Sequence, residues 1–304
     1  MFDKLKGRVT SKNALNIIKR EIKQDKIALV SLVFMILLVV IIILFSFIFN
    51  PSDVFQIDHD FTLDGWEGWN QPPSRHHLLG TDERGRDVLL LLIFAARNAL
   101  MIVTLTTLIS SIIGIIYGLI SGYIGGFIDN VMMRIAECIA IFPNLVIILI
   151  VILIRGYSVT SFIIVTALLS WTSIAKVVRT RLVQEKELDY IQASRTLGTS
   201  HFKIIIHQLL PNLSSVVIAG IALNAVSITG IEAGLSFLLT SFLDDTIQFV
   251  NPSLGTLVSA AMHMIVLRFR QWIWMPPLVL IGLIMFSINN IGEMLSRASD
   301  SRQY

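Results

Sequence analysis

Charge is what this sequence has least of. Only 15% of its 304 residues are Asp, Glu, Lys or Arg, against roughly 25% in ordinary soluble domains. Hydrophobic residues make up 54%, and the mean hydropathy is +0.75. A soluble fold could not hide so much apolar surface, so the chain reads as a membrane protein. Cysteine is almost lacking: the single Cys138 lies in an apolar stretch without a partner, which leaves no disulfide framework, no cysteine metal site and no redox chemistry to expect. No G-x-x-x-x-G-K-[ST] phosphate loop occurs, so the chain is not itself an ATPase. His59, His76 and His77 are the only histidine group that could bind metal, but adjacent histidines point apart and no further ligand stands at metal spacing. No metal is expected, and no catalytic constellation emerges. The net charge of +3 comes from basic residues clustered in loops, not interleaved with aromatics, so a nucleic-acid partner has no support.

What the sequence does contain is long uncharged runs. Ile27 to Phe49 is long enough to cross a hydrocarbon core of roughly 30 Å at about 1.5 Å per residue. It exceeds the ~7–15 residues of a signal-peptide core, and no small-x-small cleavage site follows before Pro51. Further apolar segments run near Ala99–Ser121, Val131–Ile154, Tyr157–Ala175, Leu213–Leu243 and Trp272–Ile291, giving an all-α membrane protein of about six spans with both termini on one side. Lysine and arginine distribution orients it. Lys4, Lys6, Arg8, Lys12, Lys19, Arg20, Lys23 and Lys26 precede the first span, and Lys176, Arg179, Arg181, Lys186, Arg195 and Lys203 lie around the fourth connection; both regions belong in the cytoplasm. The segment from Pro51 to Leu90 is acidic and belongs outside, with Trp66, Trp69, Trp272 and Trp274 on or near that side. The implied layout is a basic cytoplasmic segment 1–26, a first span 27–49, an outer loop 50–90, a core 91–295 and a cytoplasmic tail 296–304.

Ala14, Ile17, Ile18, Glu21, Ile22 and Asp25 alternate apolar and charged positions at helical spacing, which suits either an amphipathic helix on anionic lipid or a plain topology anchor. Inside the fifth apolar segment, Glu232 must face protein or water, because hydrocarbon is costly for a charge. It reads as a buried structural acid or as a pathway residue. Asn224 and Thr229 near it serve either a polar path or helix packing.

The loop 179–212 is long for a connection between two spans. Glu187–Leu197 is rich in helix-compatible residues, with Leu188, Ile191 and Leu197 on related faces and Gly198 suited to a helix C-terminus. A second short helix from about Ser200 to Gln208 precedes Pro211. Helix, glycine bend and helix make a compact knob able to transmit a push; the plainer reading is an amphipathic connector resting on the bilayer.

Gln192, Ala193, Ser194, Gly198, Leu210 and Pro211 stand at the offsets of E-A-A-x(3)-G-x(9)-I-x-L-P, and the wider run YIQASRTLG…KIIIHQLLPN begins with Tyr190. This resembles the loop of ABC importer permeases of the dipeptide/oligopeptide/nickel branch. LGTDERGRD (Leu79–Asp87) is similar to the signature before the second span of its C-type, oligopeptide permease C-like members. GYIGGFIDNVMMRIAE (Gly122–Glu137), IEAGLSFL (Ile231–Leu238) and NPSLG (Asn251–Gly255) resemble further family segments, so the likeness runs from about residue 79 to 295. Within the first of these, Asp129 and Arg134 could pair across about one helical turn. Two departures fall in the loop, where Gln192 stands for the usual glutamate and Ser194 for the second alanine; Asp244 and Asp245 follow where the family continues with glycines.

The resemblance implies a type I ABC importer permease architecture in which this loop, through Tyr190, Gln192, Ala193, Ser194, Gly198, Leu210 and Pro211, docks on an ATPase. It implies a homologous permease as heterodimer partner, two cytoplasmic ATPase subunits carrying the ATP and magnesium, an external substrate-binding protein and a peptide cargo, with no cofactor in this chain. Oligopeptide is the first expectation for the cargo, then dipeptide, then a nickel or other metal chelate. The different-class alternative, a stand-alone secondary transporter or channel, predicts inverted repeats or paired intramembrane charges that the sequence does not display.

Overall fold

The computed structural model describes residues 25–49, 70–242 and 252–300. The expected N-terminal amphipathic helix before residue 25, His59, Trp66, Trp69, Asn251 and the acidic pair Asp244 and Asp245 lie outside the described residues. Among those described, regular structure is all helix. The elements are α1 (Lys26–Ile48), α2 (Val88–Ile124), α3 (Gly126–Ile141), α4 (Asn144–Arg155), α5 (Val159–Glu185), α6 (Asp189–Thr196), α7 (His201–Ile204), α8 (Ser214–Phe242), α9 (Leu254–Ser259), α10 (Met264–Phe269) and α11 (Gln271–Asp300).

Five helices, α1, α2, α5, α8 and α11, are each long and apolar enough to cross a membrane. The span expected at Val131–Ile154 is instead two helices, α3 and α4, meeting at 69° and able to cross only as a bent pair. Pro143 explains the break. It has no amide hydrogen to continue α3, and it pushes Phe142 into the extended region, at φ −79° and ψ 134°.

The expected second span begins eleven residues early, at Val88 instead of Ala99, because Asp87 caps the helix: its carboxylate accepts from the amides of Leu89 at 2.8 Å and Leu90 at 3.1 Å. At about 1.5 Å per residue, the 37 residues of α2 reach well beyond one hydrocarbon core.

α2 packs most extensively on α5, and glycine makes that possible. A Cβ at Gly114 would lie 2.7 Å from the Trp171 carbonyl oxygen, one at Gly118 2.6 Å from that of Ala175 and one at Gly122 3.1 Å from that of Arg179. Each glycine is four residues from the next and so is each carbonyl, so the two backbones run in contact for two turns. Lipid tails are as apolar as the side chains they would meet, so helices in a membrane associate through such close approach and not by escaping water. Large residues there would separate the pair.

The ends of the helices show which termini share a side. Asp25 caps α1, accepting from the amides of Ile27 at 3.1 Å and Ala28 at 3.0 Å, and its other oxygen pairs with Arg297 of α11. Ser214, at the start of α8, lies 2.5 Å from Ser299, oxygen to oxygen. The start of α1, the end of α11 and the root of the 179–212 loop are therefore at one end of the bundle.

Candidate functional site

The loop is a knob built on the bundle core. α5 runs to Glu185, and Lys186 bonds the Gly122 carbonyl at 2.9 Å, tying the loop's entry to the end of α2. After one turn, α6 starts at Asp189 and buries Ile191 completely against Ile174, Val178, Leu182, Ile204, Leu209 and Leu213. The expected shared face of Leu188, Ile191 and Leu197 is corrected: Leu197 is 83% exposed and Leu188 45%. Leu197 lies past the last helical turn, so helical spacing no longer places it.

Gly198 has φ +76°, the left-handed conformation that only glycine adopts without strain. Its amide donates to the Arg195 carbonyl at 3.0 Å, and the Thr199 amide to that of Ser194 at 3.1 Å. This paired closure satisfies carbonyls that the end of α6 would otherwise leave open.

The second arm does not run as one plain helix to Pro211. α7 passes into a π turn over Ile205–Leu209, where the Leu210 amide reaches back five residues to the Ile205 carbonyl. Proline cannot donate and its ring crowds the carbonyl four residues earlier, so a wider turn before Pro211 relieves the conflict.

Polar contacts lock the arms together. Gln208 donates to the Ser194 hydroxyl at 3.0 Å, Ser194 to the Tyr190 carbonyl at 2.9 Å, and Asn212 to the Tyr190 phenol oxygen at 2.6 Å. Burial pushes the Tyr190 phenol above its ordinary value. Gln192 spends its amide donor on the Lys186 carbonyl at 3.1 Å, within the knob itself. The loop thus brings together Tyr190, Gln192, Ala193, Ser194 and Gly198, with Leu210 and Pro211 at its root. The face left outward carries Ala193, Leu197, Gly198 and Phe202, the last 74% exposed.

Sequence reasoning missed Tyr123. From the end of α2 it lies 2.5 Å from His201 Nδ1, oxygen to nitrogen, and Arg195 sits over its ring at 5.3 Å, so both arms touch α2. The pairing of Asp129 with Arg134 is also corrected. Asp129, in the first turn of α3, faces α5 and binds Arg179 with two nitrogens, while Ser121 donates to it; Arg134 pairs with Glu137 at 2.9 Å. Five residues at about 100° each carry Arg134 to another side of the helix.

Residues 114–303 match the family described as "Binding-protein-dependent transport system inner membrane component". The chain belongs to that family. Residues 16–73 match a second family, the N-terminal transmembrane domain of oligopeptide transport permease C. The chain is 35% identical over 296 residues to the oligopeptide transport system permease protein OppC of Lactococcus lactis subsp. cremoris, covering 96% of this chain and 97% of that one. It is 31% identical to the dipeptide transport system permease protein DppC of Bacillus subtilis, over 93% of this chain and 84% of that one. With the oligopeptide transport system permease protein AmiD of Streptococcus pneumoniae it shares 30% identity over 90% of this chain and 86% of the relative.

Two further permease-family segments meet at the end of the bundle away from the knob. Glu232 is 1% exposed; one carboxylate oxygen accepts from Ser253 at 2.7 Å and Ser236 at 3.3 Å. Ser253 also caps α9 in a reciprocal bond pair with Thr256, and a Cβ on Gly255 would come 2.0 Å from the Ala233 carbonyl oxygen. IEAGLSFL and PSLG are therefore the two halves of one lock. Asn224 donates to Ser110 of α2 at 2.9 Å, a contact between helices, and Thr229 to the Ala225 carbonyl of its own helix at 2.8 Å; both are buried.

The LGTDERGRD turn closes on itself. Asp82 accepts from the amides of Arg84 and Arg86, each at 2.9 Å, and from the Arg86 guanidinium at 2.6 Å, while His77 Nδ1 meets Asp87 at 2.8 Å.

Proposed function

We propose that this chain is the membrane-spanning permease subunit of an ATP-binding-cassette importer that carries oligopeptides across the cytoplasmic membrane, with ATP hydrolysed on separate subunits. The observation that carries this reading is the knob: a short helix closed by Gly198, pinned underneath by Ile191, and showing an outward face of Ala193, Leu197 and Phe202. A connector lying on lipid has no need of so many internal locks. A surface that must receive a push from an ATPase does, because every soft torsion in it would absorb motion. The near full-length likeness to permeases named for oligopeptide transport supports the cargo class.

In this reading, ATP-driven closure of two cytoplasmic ATPases moves the knobs of this chain and of a homologous permease together. The pore opens outward to an external binding protein, and hydrolysis resets it. Both termini then lie in the cytoplasm with the knob, in keeping with the Asp25–Arg297 pair and the Ser214–Ser299 contact.

Reconstitution of the permease pair with ATPases and binding protein in liposomes tests the proposal. Uptake of labelled four- to six-residue peptides should require ATP and all components. Transport by this chain alone would overturn it, and uptake confined to dipeptides would move the cargo assignment to the dipeptide relatives. Cysteines at Asp64 and Lys186, in a chain lacking Cys138, should react with an impermeant reagent from opposite sides.

A further inference from the structure

Between α3 and α5, on the knob half of the bundle, Asn130, Arg134 and Glu137 of one helix face Lys176, Arg179 and Thr180 of the other around a cavity of about 370 Å³. A second cavity of about 360 Å³ continues along α5 past Lys176 and Thr180 to Arg181 and Gln184. Both fall within the range of roughly 300–1,000 Å³ typical of small-ligand pockets.

The charges in this seam are matched with one exception. Arg134 pairs with Glu137 at 2.9 Å, Arg179 with Asp129, and Arg181 with Glu185 at 2.9 Å. Lys176 lines both cavities, is half-buried, and has no carboxylate or hydrogen-bond partner among the described residues. It stands nine residues before the end of α5, about 14 Å along the helix, just past the apolar run Tyr157–Ala175 and at the inner end of that span. An unpaired ammonium lining two adjoining recesses at the inner end of a span has to meet water or protein and not hydrocarbon, so this face is open to a polar ligand.

We infer that Lys176 is a recognition point for the C-terminal carboxylate of a peptide in transit, with Asn130 and Thr180 offering hydrogen bonds beside it. The inference rests on the oligopeptide reading and adds to it the group on the cargo that the pathway holds. Every linear peptide presents one terminal carboxylate whatever its side chains, so a single cation serves a mixed cargo. Lysine is suited to this, being a point charge on a flexible stem that imposes no fixed bidentate geometry. Half-exposed and alone, it binds weakly and lets go.

The test uses the complete transporter in vesicles and one peptide supplied both as free acid and as C-terminal amide. The binding protein is the same throughout, so its own preference cancels when variant and unmodified transporters are compared. Lys176→Met should reduce uptake of the free acid roughly fivefold, the scale of one partly exposed charge contact, through a higher KM, and leave the amide unchanged. Lys176→Arg should keep the preference. Equal loss for both peptides, or no loss, overturns the assignment, as does a loss that vanishes when anionic lipid is left out of the vesicles, which would make Lys176 a headgroup contact. If the unmodified transporter imports neither peptide, the cargo reading fails and takes this inference with it; import retained with an unmoved ratio removes Lys176 alone.

Discussion

The two ends of the bundle hold themselves together in opposite ways. At the knob end, polar side chains of the loop bond one another while apolar side chains, Leu197 and Phe202, are left outside. At the far end, Glu232 is taken inside and held by serines, and Gly255 lets the α9 backbone lie on that of α8. The first pattern leaves something for another chain to cover. The second joins α8 to α9 through one oxygen of Glu232 while its other oxygen is buried without a hydrogen-bond partner, and in the proposed function it is the fixed end against which the knob's displacement works.

Substitutions can break this contrast. The largest effect should come from Gly255→Val, because nothing can move out of the way of backbone 2.0 Å from the new Cβ. Overpacking of this kind costs about 1–3 kcal/mol or more, and the melting temperature of the purified chain in detergent should fall while the knob's own contacts are untouched. An unchanged melting temperature would mean that the lock between α8 and α9 is not what holds the far end.

Gly198→Val should do the reverse. No atom lies within 4 Å of the new Cβ, so the penalty is confined to the backbone, about 1–2 kcal/mol for a left-handed residue with a side chain. The chain should melt no more than a few degrees lower, less than for Gly255→Val, yet lose ATPase co-purification and uptake; if both survive, the bend plays no part in docking. Leu197→Asp would sharpen the point, removing an exposed side chain that the isolated chain does not need, with ATPase binding weakened roughly tenfold at an interface anchor.

Gln192→Glu should have a smaller effect. The new carboxylate cannot donate to the Lys186 carbonyl, so one exposed hydrogen bond worth about 1 kcal/mol is lost and repulsion replaces it. Transport-coupled ATPase activity should drop up to roughly fivefold, with Gln192→Ala in between; two variants indistinguishable from the unmodified transporter would place Gln192 outside the contact.

The smallest effect concerns the α1–α11 clasp. The Ala28 amide and then Arg297 hold the Asp25 carboxyl below its ordinary value. A lowered folded value means the clasp's contribution is complete above the unfolded carboxylate range and is lost only as pH falls through the folded one. Crosslinking between cysteines placed beside Asp25 and Arg297 should therefore be constant near neutrality and fall only in acid well below pH 4. A change between pH 6 and 8 would show that Asp25 does not make the clasp.

Much of this was legible in the residues before any coordinates. The apolar runs located the spanning segments, and Gly198 announced a left-handed helix end because the requirement is local. What stayed hidden was non-local. Asp129 had a plausible partner in its own helix, and nothing along the chain says that Arg179, fifty residues on, would reach it first. The glycines of α2 showed no purpose until the carbonyls of α5 were beside them. Pro143 was visible, yet a run of apolar residues on both sides of it reads as one span, and composition does not record an angle.

That angle between α3 and α4 acts as a compass. Where a helix stops, its last carbonyls and the first amides of the next have no partners of their own, and hydrocarbon cannot supply any. The 69° corner at Phe142–Pro143 therefore cannot look out into the lipid, whereas the unbroken, uniformly apolar α1 can. A line from α1 to that corner runs from a face that suits hydrocarbon towards one that needs water or protein, so the chain carries in its own backbone a bearing on which of its sides cannot lie against lipid.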